Sequence, residues 1–175
     1  TSTALLLGAT LACGPSPPPQ APRKSTVDDV LDQLTRGPGL PFDPNVKRGR
    51  LESGLTYYIL HHEKPEKRAY LWLAVNAGSV QEDDDQRGLA HLCEHMAFDG
   101  TRLFGPRDID DFIQKVGMRS GQHMNAETSF DDTVYQFEVP SDDPAVVHKA
   151  LQILQQIATE VSFDPVQVER ERAVV

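Results

Sequence analysis

Apolar residues recur along the chain with the two periods that strands and helices require. Residues 55–60 and 69–76 are aromatic and β-branched runs that predict two strands. The second run is nearly continuous in apolar residues, so we expect that strand to be central in its sheet. Residues 122–128 and 133–139 predict two more strands around a Ser-Phe-Asp-Asp turn. In the latter, every second residue is apolar and defines one face: Tyr135, Phe137 and Val139.

Helical spacing predicts four helices. Two cover residues 86–98 and 108–116, and two more begin at Pro144 and Pro165, each after an aspartate suited to cap the helix. The last pattern still runs at Val175, so we expect the chain to end inside a helix, as in a fragment. The stripe predicted for the third helix consists of Val147, Ala150, Leu151, Leu154, Ile157 and Val161. Together these elements predict an α+β fold, a mixed or antiparallel sheet packed with helices.

The segment before the predicted domain has a different character. Residues 1–12 contain the apolar run ALLLGATLA, which is typical of the hydrophobic part of a signal peptide. Thr-Leu-Ala precedes Cys13 in a loose match to a bacterial lipoprotein cleavage box, which predicts lipidation of Cys13; the alternative is a free cysteine after an ordinary signal peptide. Residues 13–45 are rich in proline and predict a linker, within which residues 26–34 favour a short helix. The folded domain is predicted over residues 46–175.

Charge and cysteine content exclude several classes of protein. The 175 residues carry 17 basic and 26 acidic side chains, a net charge of −9, which argues against nucleic-acid binding. Two distant cysteines exclude a disulfide framework and a zinc site built from cysteine alone. No apolar run approaches the roughly 20 residues of a membrane-spanning helix. We therefore expect membrane attachment only through a lipid anchor.

The sequence HLCEH at residues 91–95 is the candidate for chemistry. His91 and His95 lie one turn apart on a single helical face, where two imidazoles can hold one zinc ion. Glu94 projects near that face and can accept a proton from water that zinc activates. His-x-x-Glu-His is the signature of the inverted zinc peptidases. The alternative is a solvated helix with two ordinary histidines. Cys93 falls on a different face and is predicted to be a small buried residue.

Several separate blocks occur in an order that resembles the pitrilysin/insulinase family of zinc metallopeptidases, from about residue 46 to the end. The blocks are residues 76–82, 87–101, 125–130, 133–135 and 169–175. The resemblance implies that His91 and His95 bind one Zn²⁺ and that Glu94 is the general base. It also implies that Asn125 and Ala126 lie on an edge strand that pairs with an extended peptide.

The resemblance places the third zinc ligand outside this sequence. In the family it is a glutamate seven positions after the residue that corresponds to Glu171, which falls three residues beyond Val175. Glu171 then supports the site by contacting a ligand. A rival count gives Glu171 itself as the ligand, because it follows His95 at close to the usual separation.

These observations predict an exported bacterial zinc metalloendopeptidase, periplasmic or lipid-anchored, that cleaves peptides or unfolded proteins. The resemblance implies a second, homologous half that completes the enzyme, so we expect these 175 residues alone to be nearly inactive. The alternatives are a non-catalytic scaffold or peptide-binding module of the same fold, and a metal-storage or metal-sensing lipoprotein.

Overall fold

A computed structural model describes residues 42–175. The predicted signal segment, Cys13, most of the linker and the helix predicted at residues 26–34 lie outside the described residues. The described chain divides between His61 and His62 into two units, which are taken in turn.

The first unit contains an antiparallel hairpin. Strand β1, Lys47–Arg50, pairs with β2, Thr56–Ile59, and Gly54 adopts a φ of 94° in the connection. This left-handed conformation is one that glycine adopts without strain. The strand predicted at residues 55–60 is therefore confirmed. The sequence KRGR of β1 has no apolar pattern, which is why β1 escaped prediction.

The second unit is built on a three-stranded antiparallel sheet. Its strands are β3 (Arg68–Val75), β4 (Met124–Thr128) and β5 (Thr133–Pro140). Their order in the sheet is β3-β5-β4. The predicted hairpin of β4 and β5 is confirmed. The prediction that β3 is central is wrong within this sheet, where β5 is central and β3 is an edge. Only one face of β3 is covered by the described residues, and Trp72 on the other face is 68% exposed.

All four predicted helices are present. A short 3-10 helix covers Ser79–Gln81. The four helices that follow are α1 (Leu89–Met96), α2 (Asp108–Lys115), α3 (Pro144–Thr159) and α4 (Pro165–Glu171). The predicted capping aspartates accept hydrogen bonds from main-chain amides in the first turns of α3 and α4. No helix within residues 42–175 has the length and apolarity to cross a bilayer.

Two helix boundaries differ from the predicted ones. Helix α1 begins at Leu89, three residues later than expected, because Gly88 has a φ of 92° and interrupts the helical backbone. Helix α4 ends at Glu171 instead of continuing to Val175. The amides of Val174 and Val175 both donate to the carbonyl of Glu171, which closes the segment as a turn.

The core lies between one face of the sheet and the helices. On β5 the alternating residues Tyr135, Phe137 and Val139 are buried, as predicted, and Phe137 is flanked by Leu71 of β3 and Met124 of β4. Two members of the stripe predicted for α3 are wrong: Leu151 is half exposed, and Val161 lies beyond the end of the helix at Thr159. Ile153 of the same helix is fully buried. The α+β class with an antiparallel sheet is confirmed.

Candidate active site

The N-terminus of the helix that carries the HLCEH sequence is capped by a side chain from the preceding loop. The carboxylate of Glu82 accepts hydrogen bonds from the amides of Gly88 at 2.9 Å and Ala90 at 2.8 Å. These bonds, the one from Ala90 first, lower the pKa of Glu82. They satisfy amides that a helix terminus leaves without partners. The acidic residues ahead of this helix predict a favourable interaction with the positive end of its dipole, and the structure identifies Glu82 as the residue that accepts the bonds.

His91 and His95 face each other one turn apart on α1. Their Nε2 atoms are 3.2 Å apart and their ring planes are nearly perpendicular, at 84°. Two zinc–nitrogen bonds of about 2.0–2.1 Å at a tetrahedral angle place their nitrogens about 3.3 Å apart. The separation of the two nitrogens therefore matches that of two nitrogens bound to one zinc ion.

Helix α4 brings Glu171 against the second of these histidines. Glu171 Oε2 lies 2.8 Å from Nδ1 of His95, and Arg170 Nε lies 3.5 Å from Glu171 Oε1. Because an ionised carboxylate only accepts hydrogen bonds, Nδ1 is the donor and carries the ring proton. Nε2 of His95 is therefore unprotonated, and its lone pair faces His91, whose Nε2 can donate to it at 3.2 Å.

The position of Glu171 also tests the alternative in which Glu171 itself is the third zinc ligand. Glu171 contacts the ring nitrogen of His95 that points away from His91. Within residues 42–175, no three His, Cys, Asp or Glu side chains are grouped so that they could hold one metal ion. The structure thus brings the two histidines together, and Glu171 contacts His95 at Nδ1, on the side of the ring away from His91.

Glu94 points toward β4 and is almost completely buried, with 8% of its surface exposed. Its Oε2 atom accepts a hydrogen bond of 2.5 Å from the hydroxyl of Thr128, the last residue of β4. Burial, and secondarily the charge of Glu94, raise the pKa of Tyr135 to about 12. Sequence reasoning missed Thr128, because only the packing of α1 on β4 brings it to Glu94.

A cavity of about 310 Å³ joins these elements. Its walls include Glu94, His95, Phe98, Asn125, Ala126 and Glu171. A larger cavity of about 530 Å³, near Lys67 and Asp142, contains none of the candidate residues. The smaller cavity therefore joins the histidine helix to the segment predicted to bind peptide.

Strand β4 is an edge of the described sheet. Asn125 and Ala126 lie in its middle and pair with Gln136 and Tyr135 of β5 on one side. On its other side, the described residues add only an isolated bridge from Ser120 to Met124. Asn125 is exposed, and Ala126 is partly buried beside the core. The edge beyond Met124 is therefore open to an added strand.

Two further residues near the site differ from expectation. Cys93 is exposed, so the prediction that it is buried is wrong: α1 packs through its other faces. Asp99 was not predicted to matter. One of its carboxylate oxygens is buried without a hydrogen-bond partner among the described residues. Burial, followed by the nearby charge of Glu171, raises the pKa of Asp99.

The sequence of this chain matches the model of one protein family. The family model described as Insulinase (Peptidase family M16) matches residues 57–175. The chain belongs to this family, and the predicted resemblance is confirmed.

Relatives of this chain carry zinc protease names. It is 39% identical over 143 residues to "Probable zinc protease PqqL" of Haemophilus influenzae, a match that covers 82% of this chain and 15% of the relative. It is 42% identical over 127 residues to "Zinc protease PQQL-like" of Arabidopsis thaliana, covering 73% and 13% of the two chains. The chain thus spans about a seventh of the length of these relatives.

Solved structures show the same fold. The first half of the periplasmic protease PqqL from Escherichia coli matches with a TM-score of 0.74 and 35% identity, over 77% of this chain and 29% of that one. Pitrilysin matches with a TM-score of 0.61 and 25% identity, over 73% of this chain and 13% of that one.

Proposed function

We propose that this chain carries the zinc-binding helix and the peptide-binding strand of a zinc metalloendopeptidase. The single observation that carries the proposal is the pair of Nε2 atoms 3.2 Å apart, with His95 oriented by Glu171. The separation of these atoms matches that of two nitrogens on one zinc ion, and the buried carboxylate of Glu171 holds one of the two rings.

His91 and His95 are the residues that would hold zinc. When bound, zinc supplies Lewis acidity, which lowers the pKa of water toward about 7 and polarises a peptide carbonyl. The zinc-protease names of the relatives support this choice of metal. The third ligand is proposed to be a glutamate three residues beyond Val175.

Glu94 is proposed as the general base. Its carboxylate borders the same cavity as His95, and Thr128 engages Oε2, which leaves Oε1 to accept the proton of the attacking water. The same oxygen then returns the proton to the leaving amine, so the carboxylate ends each cycle as it began.

The peptide is proposed to bind as an added strand along β4. Main-chain hydrogen bonds from the open edge at Asn125 and Ala126 hold an extended segment whatever its side chains are. This mode suits a peptidase of broad preference. It also places the peptide beside the cavity that contains Glu94.

The decisive experiment compares Glu94→Gln with wild type in the intact gene product. Wild type should cleave unfolded proteins or oligopeptides. The kcat of the variant should fall by about 100- to 10,000-fold, which is the usual contribution of a general base. The variant should still bind one zinc ion. Glu169→Gln is a matched control, because Glu169 is exposed on α4 and pairs with Arg172. The control should behave as wild type.

Three outcomes would contradict the proposal. Cleavage that survives Glu94→Gln would exclude the assigned base. A zinc-loaded wild type that binds peptides but cleaves none would support the alternative of a scaffold or peptide-binding module. A protein that binds zinc but no peptide would support the metal-storage or metal-sensing alternative.

The intact protein is proposed to contain a second, homologous half and to act outside the cytoplasm. The support is that the matching PqqL of Escherichia coli is described as periplasmic and was solved both as a first half and as a whole. Lipidation of Cys13 remains a prediction. Incorporation of labelled fatty acid by wild type but not by Cys13→Ser would support it.

A further inference from the structure

We propose that Thr128 is a positioning residue, which holds the carboxylate of Glu94 and ties the proton acceptor to the peptide-binding strand. This inference rests on the function proposed above. It goes beyond that function because it assigns a role to a residue that is not part of the cavity wall.

The contact between the two side chains is short and protected. The hydroxyl of Thr128 donates to Oε2 of Glu94 over 2.5 Å, a length typical of a hydroxyl bonded to an ionised carboxylate. Glu94 is 8% exposed and Thr128 is half buried, so little water competes for this bond. A buried carboxylate is costly without a hydrogen-bond donor, and Thr128 is the donor that β4 supplies.

The hydroxyl of Thr128 has two neighbouring side-chain oxygens, one in Glu94 and one in Thr133. Thr133 faces Thr128 across the hairpin, with its Oγ1 3.4 Å from that of Thr128. Thr133 uses its own proton for the carbonyl oxygen of Ala77, at 2.8 Å. The carboxylate oxygen of Glu94 lies closer to the Thr128 hydroxyl than the Thr133 oxygen does, so Thr128 donates its single proton to Glu94.

The end of β4 is itself held in place. The amides of Ser79 and Val80 donate to the carbonyls of Ser129 and Phe130 in the hairpin turn, at 3.1 and 2.9 Å. These bonds fix the turn that follows Thr128. The main chain next to the donor is therefore held in place.

The consequence for catalysis follows from where these groups sit. Asn125, Ala126 and Thr128 belong to one five-residue strand, so a peptide that pairs with β4 and the carboxylate that serves it share one rigid support. Loss of the hydroxyl frees Glu94 to rotate. Displacement of a reacting group by about 1 Å can cost on the order of 100-fold in rate.

The test uses Thr128→Val, which keeps the side-chain shape, and Thr128→Ser, which keeps the hydroxyl, in the intact gene product. Valine should lower kcat by about 10- to 100-fold with KM changed less than about threefold, and serine should restore kcat to within about fivefold of wild type. Zinc content should stay at the wild-type level in both. If Thr128→Val does not fold, Thr128→Ala replaces it.

Thr101→Val is the control for loss of a buried threonine hydroxyl, because Thr101 Oγ1 accepts a bond from the amide of Phe104 outside the cavity. It should lower Tm and leave kcat unchanged. A wild-type kcat in Thr128→Val, with activity still abolished by Glu94→Gln, would overturn the positioning role and leave the proposed function standing.

A second readout does not depend on activity. Crystal structures of wild type and Thr128→Val should show the Glu94 carboxylate rotated away from β4 in the variant only. An unmoved carboxylate would overturn the inference even if the intact protein cleaved no peptide.

Discussion

His95 and Glu171 are 76 positions apart in sequence, yet a 2.8 Å contact joins Nδ1 of one to Oε2 of the other. The contact fixes which nitrogen of His95 carries the proton and which faces His91. A carboxylate in this position also makes the imidazole a better ligand. Packing of α4 on α1 thus orients His95 for the metal binding that we propose.

Replacement of Glu171 by alanine should therefore weaken zinc binding without abolishing it. We expect a loss of about 10- to 100-fold in affinity, as for other carboxylates that orient a histidine ligand. Competition with a chromophoric chelator on the intact protein measures it, and Glu169→Ala on the same helix is the control. Complete loss of zinc would instead identify Glu171 as a ligand, in agreement with the rival count.

Glu82→Ala should destabilise the N-terminus of α1. Two main-chain amides lose their acceptor, so Tm should fall by a few °C at pH 7. Hydrogen bonding lowers the pKa of Glu82, so its contribution is present above the ordinary carboxyl pKa of 4.5 and is lost as pH falls through the lowered value. The difference from wild type should thus shrink in acid. Asp83→Ala, exposed in the same loop, should show no comparable effect.

Gly78→Ala should be strongly destabilising. A Cβ there would lie 2.5 Å from the carbonyl oxygen of Ser129 and 2.6 Å from that of Phe130, and both are main-chain atoms that cannot rotate away. We expect a loss of about 1–3 kcal/mol in the free energy of unfolding, measured in urea. At Gly105 the nearest atom is a carboxylate oxygen at 3.5 Å, so Gly105→Ala should be much milder.

Tyr135→Phe should protect the protein in alkali. The pKa of Tyr135 is raised from 10.0 to about 12, so its neutral form is favoured in the folded state. The stability this gives is fully present below pH 10 and is lost as pH rises toward about 12. Melting curves should be similar at pH 7, and the variant should melt a few °C higher near pH 11. Equal alkaline sensitivity would contradict the raised pKa.

Local features of the chain were readable from sequence. The Ser-Phe-Asp-Asp turn between alternating segments predicts the β4–β5 hairpin, and aspartate followed by proline predicts the starts of α3 and α4. Such signals depend on residues a few positions apart, whose geometry the backbone fixes. Edge and centre in the sheet were not readable in this way, because an apolar run like β3 does not say whether both of its faces are covered.

By itself, the sequence determined that His91, Glu94 and His95 fall within little more than one turn of a helix, since helical spacing fixes that neighbourhood. Only the tertiary structure decided that Glu171 orients His95, that Thr128 holds Glu94 and that Cys93 stays exposed. These relationships depend on how α1 packs against α4 and β4, and contacts between elements distant in sequence arise from packing of the whole domain.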